Sequence, residues 1–141
     1  LGSDVVYLVE ERAAGRPRLV TDVGVRLPAH LTASGRAILS GLSPAQVRAL
    51  YPSRSALVRR TSTGPATLAE LRTILAATRR RGYAEEDSEV TVGFASVAVP
   101  LRSPSNLAAI AVTWESPLPI DVAVVLERLR ATAAAVEARL R

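Results

Sequence analysis

Four sets of side chains in this 141-residue sequence could do chemistry. His30 stands four residues before Ser34. An acidic run holds Glu85, Glu86, Asp87 and Glu89. A second serine, Ser96, follows it, and arginines cluster at 59–60 and 79–81. A serine, a histidine and an acid could make a nucleophile–base–orienter set, so a small serine hydrolase using Ser34 or Ser96 is one reading. No nucleophile-elbow pattern supports it, and His30 lies in the same short loop as Ser34. One imidazole with no cysteine cannot build a zinc site by itself. The carboxylates lack the Asp-x-Asp-x-Asp-Gly spacing of a calcium loop. No metal and no cofactor are therefore expected.

The arginine runs are the case for direct nucleic-acid contact. They fall at chain or helix ends, where a cation favours the C-terminal dipole. Only five aromatic residues are present, too few for a base-stacking platform. All 18 basic residues are arginine, and the net charge is +5. That bias reads as a GC-rich genome rather than as a nucleic-acid surface.

Chemistry of this kind needs a scaffold. Hydrophobic residues make up 48% and charged residues 22%, which specifies a folded domain rather than a disordered tail. No apolar run approaches the roughly 20 residues of a membrane span, and no signal peptide is visible. A cytoplasmic location with no membrane partner is expected. There is no methionine, so Leu1 is not read as a natural start. The chain is expected to be one domain, residues 1–141, cut from a longer protein.

Val5–Glu11 has strand composition, and Arg18–Val23 reads as its antiparallel partner across the Gly15-Arg16-Pro17 turn. Thr32 or Ser34 caps a helix from about 33 to 42. Ser43-Pro44-Ala45-Gln46 restarts a short one, with a serine cap, an N1 proline and a capping-box glutamine. Thr67-Leu68-Ala69-Glu70 predicts another capping box, for a helix running to Arg81 and stopped by Gly82. Tyr83–Asp87 suits a short edge strand. Phe94–Leu101 is apolar on successive positions, which marks a central strand covered on both faces. Leu107–Glu115 returns beside it as a buried hairpin after a turn cluster over 102–106. Asp121 caps a closing helix whose stripe is Val122, Val125, Leu129, Ala133, Val136 and Leu140. This order specifies an α+β domain with a largely antiparallel sheet flanked by helices.

The candidate ligand site lies between the Leu31–Gly35 loop and the sheet. A helix N-terminus favours anions, and Ala33, Ser34 and Gly35 are small enough for a ligand to approach the backbone. Equally, Ser34 could be only a cap, Ser96 a small core residue, and Glu86 part of a solvated turn. If Glu86 does face a carboxylate ligand, one of the two must hold a proton, and binding strengthens at lower pH.

Two blocks, LPAHLTASGRAILSGLSP and RRGYAEEDSEVTVGFASVAVP, in register and behind the VVYLVEE opening, resemble the C-terminal domain of IclR-type bacterial transcriptional regulators. The resemblance covers nearly the whole chain. It implies a GAF/PAS-like domain that binds a small effector, often an organic or aromatic acid, and that helps form homodimers or homotetramers. DNA binding would belong to an N-terminal winged helix-turn-helix outside this chain. By resemblance, Ala33, Ser34, Glu86, Phe94, Ser96 and Thr113 fall on pocket-lining positions. Three departures stand out. Ser96 replaces a frequent cysteine, and Arg36 replaces the usual lysine. Trp114 stands where glycine often sits, where it could close the site or change its ligand. The competing reading is a purely structural dimerisation module whose pocket is filled by side chains such as Trp114 and Phe94.

Overall fold

The strand expected at residues 94–101 organises the domain. In a computed structural model, which describes residues 3–16, 19, 21–104 and 107–141, it spans Phe94–Leu101 as β4. It lies between β3 (Ala84–Asp87) and β5 (Ala108–Glu115) in an antiparallel three-stranded sheet, order β3-β4-β5. One face of β4 carries α4 (Val122–Arg139) and the other α1 (Ala33–Leu39). Covered on both sides, Ala95–Val99 are all buried. β5 departs from expectation. It is only half-buried, and Val112 is 37% exposed, because it lies at the sheet edge and lacks a second flanking strand among the described residues.

Apolar packing divides by face. Val97, Val99 and Leu101 meet Leu126, Leu129 and Ala133 of α4, with Trp114 against the same cluster. Ala84 and Ala98 meet Ala33 and Ala37 of α1. Alanines on both sides let α1 lie close to the sheet. A third cluster joins Leu39, α2 (Pro44–Leu50) and α3 (Leu68–Arg81) through Val47, Tyr51, Leu71 and Leu75. The α4 stripe differs from expectation at two positions: Leu126 is buried, and Leu140, past the helix end, is 52% exposed.

The opening hairpin forms with different partners. β1 is Asp4–Val6 only, and it pairs with β2, Arg26–Pro28, in the register Val5↔Leu27. Asp22 accepts the Val23 N–H at 2.8 Å, Val25 N–H reaches Asp22 O, and Gly24 takes φ +85°. That turn places residues 24–28, rather than the expected 18–23, opposite Asp4–Tyr7. Residues 19 and 21–23 form no strand, and Arg18 and Val20 lie outside the described residues. So do Ser105 and Asn106 of the expected 102–106 turn.

Most helix signals hold, although α1 ends at Leu39 and not at residue 42. Thr32 caps α1, its hydroxyl accepting Gly35 N–H at 2.9 Å. Ser43 and Gln46 make the reciprocal capping box of α2. Thr67 accepts Glu70 N–H at 3.1 Å, while the Glu70 carboxylate reaches Ala66 N–H instead of closing a box on Thr67. Gly82 ends α3 in the left-handed conformation, φ +81°. Gly35 has a different role from the ligand contact expected of it. A Cβ there would be driven into the carbonyl oxygen and Cα of Ala29, so glycine is what lets α1 cross its own entry loop.

Two substitutions test this account in chemical denaturation. Thr67→Ala is expected to cost about 1 kcal/mol, the typical value of a lost cap. Gly35→Ala is expected to cost at least about 3 kcal/mol, since backbone must move to admit the methyl group.

Candidate functional site

Strand register builds the polar centre of the site. Glu86 on β3 lies opposite Ser96 on β4, and Ser96 lies opposite Thr113 on β5. The three side chains therefore project from the same face in one row across the sheet, toward α1. Ser96 Oγ donates to Glu86 Oε1 at 3.1 Å and lies 2.7 Å from Thr113 Oγ1. The second Glu86 oxygen accepts Glu89 N–H at 3.2 Å. Glu86 is 5% exposed, whereas Glu85 and Asp87 face out. The acidic run is thus a strand with alternating sides.

Above this row is a cavity of about 240 Å³. The row forms its sheet side together with Phe94 and Ala111, and Thr32, Ala33 and Ser34 form its helix side. Tyr7, Leu19 and Thr21 from the opening segment close it, as do Val90 and Thr91 from the 88–93 loop. Six of the seven candidate residues, Ala33, Ser34, Glu86, Phe94, Ser96 and Thr113, line one space, and Gly35 does not. Trp114 alternates away from Thr113 and packs on the α4 side, leaving the cavity open. An apolar cavity of about 150 Å³ is enough for benzene, so this one has room for a substituted ring.

Burial raises the Glu86 pKa. The Glu89 N–H and the Ser96 hydroxyl pull it back, the Glu89 carboxylate raises it, and Arg36 lowers it. Tyr7 is pushed up to about 12, first by burial and then by the charge of Glu86, while the hydroxyls of Thr32 and Ser34 act against the shift. Among the described residues, none that lines the cavity carries a positive charge.

Arg36 holds the surroundings in place. It is 3% exposed. Its Nε donates to His30 O at 2.8 Å and its Nη1 to Glu85 O at 2.9 Å. The two Nη atoms grip the Glu89 carboxylate at 2.9 and 2.6 Å. The 88–93 loop is held from its other side as well, by Thr61 Oγ1 on Ser88 O and Arg60 Nε on Val90 O. The arginine runs do similar structural duty. Arg59 binds Gly64 O, Arg79 binds Ser40 O, and Arg81 pairs with Glu85 and lies over the Tyr83 ring. A wider groove of about 610 Å³ runs along β3 between Ile74, Arg81 and Trp114, but its arginines already face carboxylates.

Six contributions to the cavity have no sequence signal strong enough to single them out: Tyr7, Leu19, Thr21, Val90, Thr91 and Ala111. Tyr7, Leu19, Thr21 and Ala111 read only as residues of expected strands, and Val90 and Thr91 as ordinary loop residues. Arg36 is visible in the sequence as a departure from lysine, but not as the partner of Glu89.

His30 is placed for packing. Its ring meets Tyr51 edge-on at 5.4 Å, and Nε2 lies 2.7 Å from Val58 O. A carbonyl only accepts, so Nε2 carries the proton. Nδ1 is then a bare acceptor, buried and without a partner among the described residues. Burial lowers the His30 pKa. The neutral form is favoured in the folded state, so the contribution is complete above the unfolded value of about 6.5 and is lost as pH falls from there through the lower folded value. The raised pKa of Glu86 acts in the opposite sense, adding stability as it gains its proton on the way down toward 4.5. Between pH 7.5 and 5.5, unfolding curves are expected to show the wild type losing more stability, or gaining less, than His30→Gln.

Residues 2–138 match the family described as bacterial transcriptional regulator IclR C-terminal. The probable transcriptional regulator SauR of Cupriavidus necator is 35% identical over 118 residues, 83% of this chain and 46% of that protein. The chain thus spans about half the length of that relative. In fold it is similar to the Agobacterium tumefaciens repressor BlcR, with a TM-score of 0.84 and 33% identity over 99% of this chain and 56% of that one. It is also similar to a double mutant of the inducer-binding domain of the PobR transcription factor from Acinetobacter, solved with 3-hydroxybenzoic acid. There the TM-score is 0.73 with 26% identity, covering 89% of this chain and 74% of that one. These relatives are transcriptional regulators by name, not enzymes.

Proposed function

The chain belongs to the bacterial transcriptional regulator IclR C-terminal family, and we propose that its cavity holds a small organic effector, an aromatic or other carboxylic acid. Residues 1–141 would then be the sensing and oligomerising domain of a cytoplasmic regulator. Operator binding would reside in an N-terminal winged helix-turn-helix outside this chain. One observation carries the reading: a cavity of molecular size into which the in-register row Glu86, Ser96 and Thr113 projects. Its body is apolar along Leu19, Phe94, Val90 and Ala111, and its polar groups are few and converge, as a ligand site requires. The acid found in the PobR domain is of the size the cavity takes.

The helix start of α1 carries less of this reading than its sequence suggests. α1 is seven residues long, and Thr32 already serves one of its first N–H groups. Side-chain hydroxyls around the space supply the remaining polar contacts.

Such an effector would act by shifting a population. It must favour one arrangement of a homodimer or homotetramer over another, and a coupling of about 1–3 kcal/mol changes operator affinity about five- to 150-fold. A structural module with a filled pocket would need side chains in this space. Phe94 forms only part of the wall, and Trp114 packs elsewhere. A Ser–His–acid hydrolase would need the imidazole beside a serine. Among the described residues, the His30 Nε2 contact is Val58 O, with neither Ser34 nor Ser96 as its partner. The domain is therefore read as non-catalytic.

Thermal unfolding against a panel of organic acids tests the proposal. A specific ligand present at about 100 times its Kd is expected to stabilise by about 2.7 kcal/mol, a rise of several degrees. Ala111→Leu, which fills the cavity from the sheet side, is expected to abolish that rise while the protein still unfolds cooperatively. A panel without any rise would favour the structural module.

A further inference from the structure

The direction of the hydrogen bonds along the row narrows the ligand, an inference that rests on reading the cavity as an effector site. Ser96 has one proton, and it goes to Glu86 Oε1. The 2.7 Å contact between Ser96 and Thr113 must then run from Thr113 Oγ1–H to Ser96 Oγ. Thr113 has no proton left, and it meets the cavity with oxygen lone pairs. Glu86, held by two donated bonds and near the Arg36–Glu89 pair, is an acceptor too. The Tyr7 phenol also lines the cavity, from the opening segment and not from the row. The row therefore offers acceptors to a ligand, and among the described residues none that lines the cavity offers a cation to offset a carboxylate placed there.

We propose that the part of the effector facing this row is a hydrogen-bond donor, a phenolic or alcoholic hydroxyl, and that Glu86, Ser96 and Thr113 select hydroxylated acids over the same acids without the hydroxyl. A carboxylate on the same molecule lies away from the row. A ligand without the donor leaves Thr113 Oγ1 desolvated and unpaired. A ligand with it extends the chain of bonds by one, from its own hydroxyl through Thr113 and Ser96 to Glu86. A site built to pair a substrate hydroxyl discriminates strongly against an analogue that lacks it.

Titration calorimetry with benzoate, 3-hydroxybenzoate and 4-hydroxybenzoate decides the matter on this chain. At least one hydroxylated isomer is expected to bind about tenfold or more tighter than benzoate. Thr113→Val keeps the shape and removes the free acceptor, so that preference is expected to fall to within about twofold, the hydroxylated isomer binding more weakly and benzoate, freed of the unpaired oxygen, at least as tightly as before. A residue that merely shaped the wall would change all three affinities together. Benzoate binding as tightly as both isomers overturns the proposal and leaves the effector site standing, and so does a Thr113→Val protein with an undiminished preference. If none of the three binds, the aromatic-acid reading of the cavity fails, and the proposal with it.

Discussion

The buried fork between Arg36 and Glu89 is the interaction around which the site is assembled. Arg36 leaves α1 and binds three things at once: the carbonyl of His30 behind it, the backbone of β3 at Glu85, and the carboxylate of Glu89. Removing two charges from water is costly, and it is repaired here by near-complete use of the guanidinium donors. A lysine, with its single nitrogen, could not make these contacts in this geometry. The fork sets the distance between α1 and β3 and fixes the start of the 88–93 loop, and the cavity is the space between those parts.

From that constraint the polarity of the cavity follows. With Glu89 held, its N–H points at Glu86, and Ser96 approaches Glu86 from the neighbouring strand. A carboxylate 5% exposed is tolerated because each oxygen has a donor. Thr113 completes the row only because the β4–β5 register brings it opposite Ser96. A slip by one residue would put Val112 or Trp114 in its place.

Helix ends, the central strand and the closing helix were legible in the sequence because their signals are local. Thr32, Ser43, Thr67, Gly82 and Asp121 each act within a few residues of themselves. The unbroken apolar run of β4 specified a strand covered twice. The first hairpin differs from expectation because strand propensity does not name a partner: a turn forms at Ala14-Gly15, but it is the Asp22–Gly24 turn that leads into the paired strand. Of the site, the residues carried by the family resemblance fell around one space. Gly35 did not, since a small residue serves a backbone crossing as well as it serves a ligand. Tyr7, Leu19, Val90 and Thr91 reach the cavity through long-range folding, for which their neighbours in sequence hold no information. Arg36 and Glu89 lie 53 positions apart and meet for the same reason.

β4 carries a partner on each side and a helix on each face. Its amide protons can reach solvent only if a neighbouring strand departs as well, so they should exchange on the timescale of whole-domain opening. Ser96 belongs to that slowest layer. A molecule resting on its hydroxyl would lean on the part of the chain that opens last, so the lifetime of the complex and that of the folded domain would be tied together.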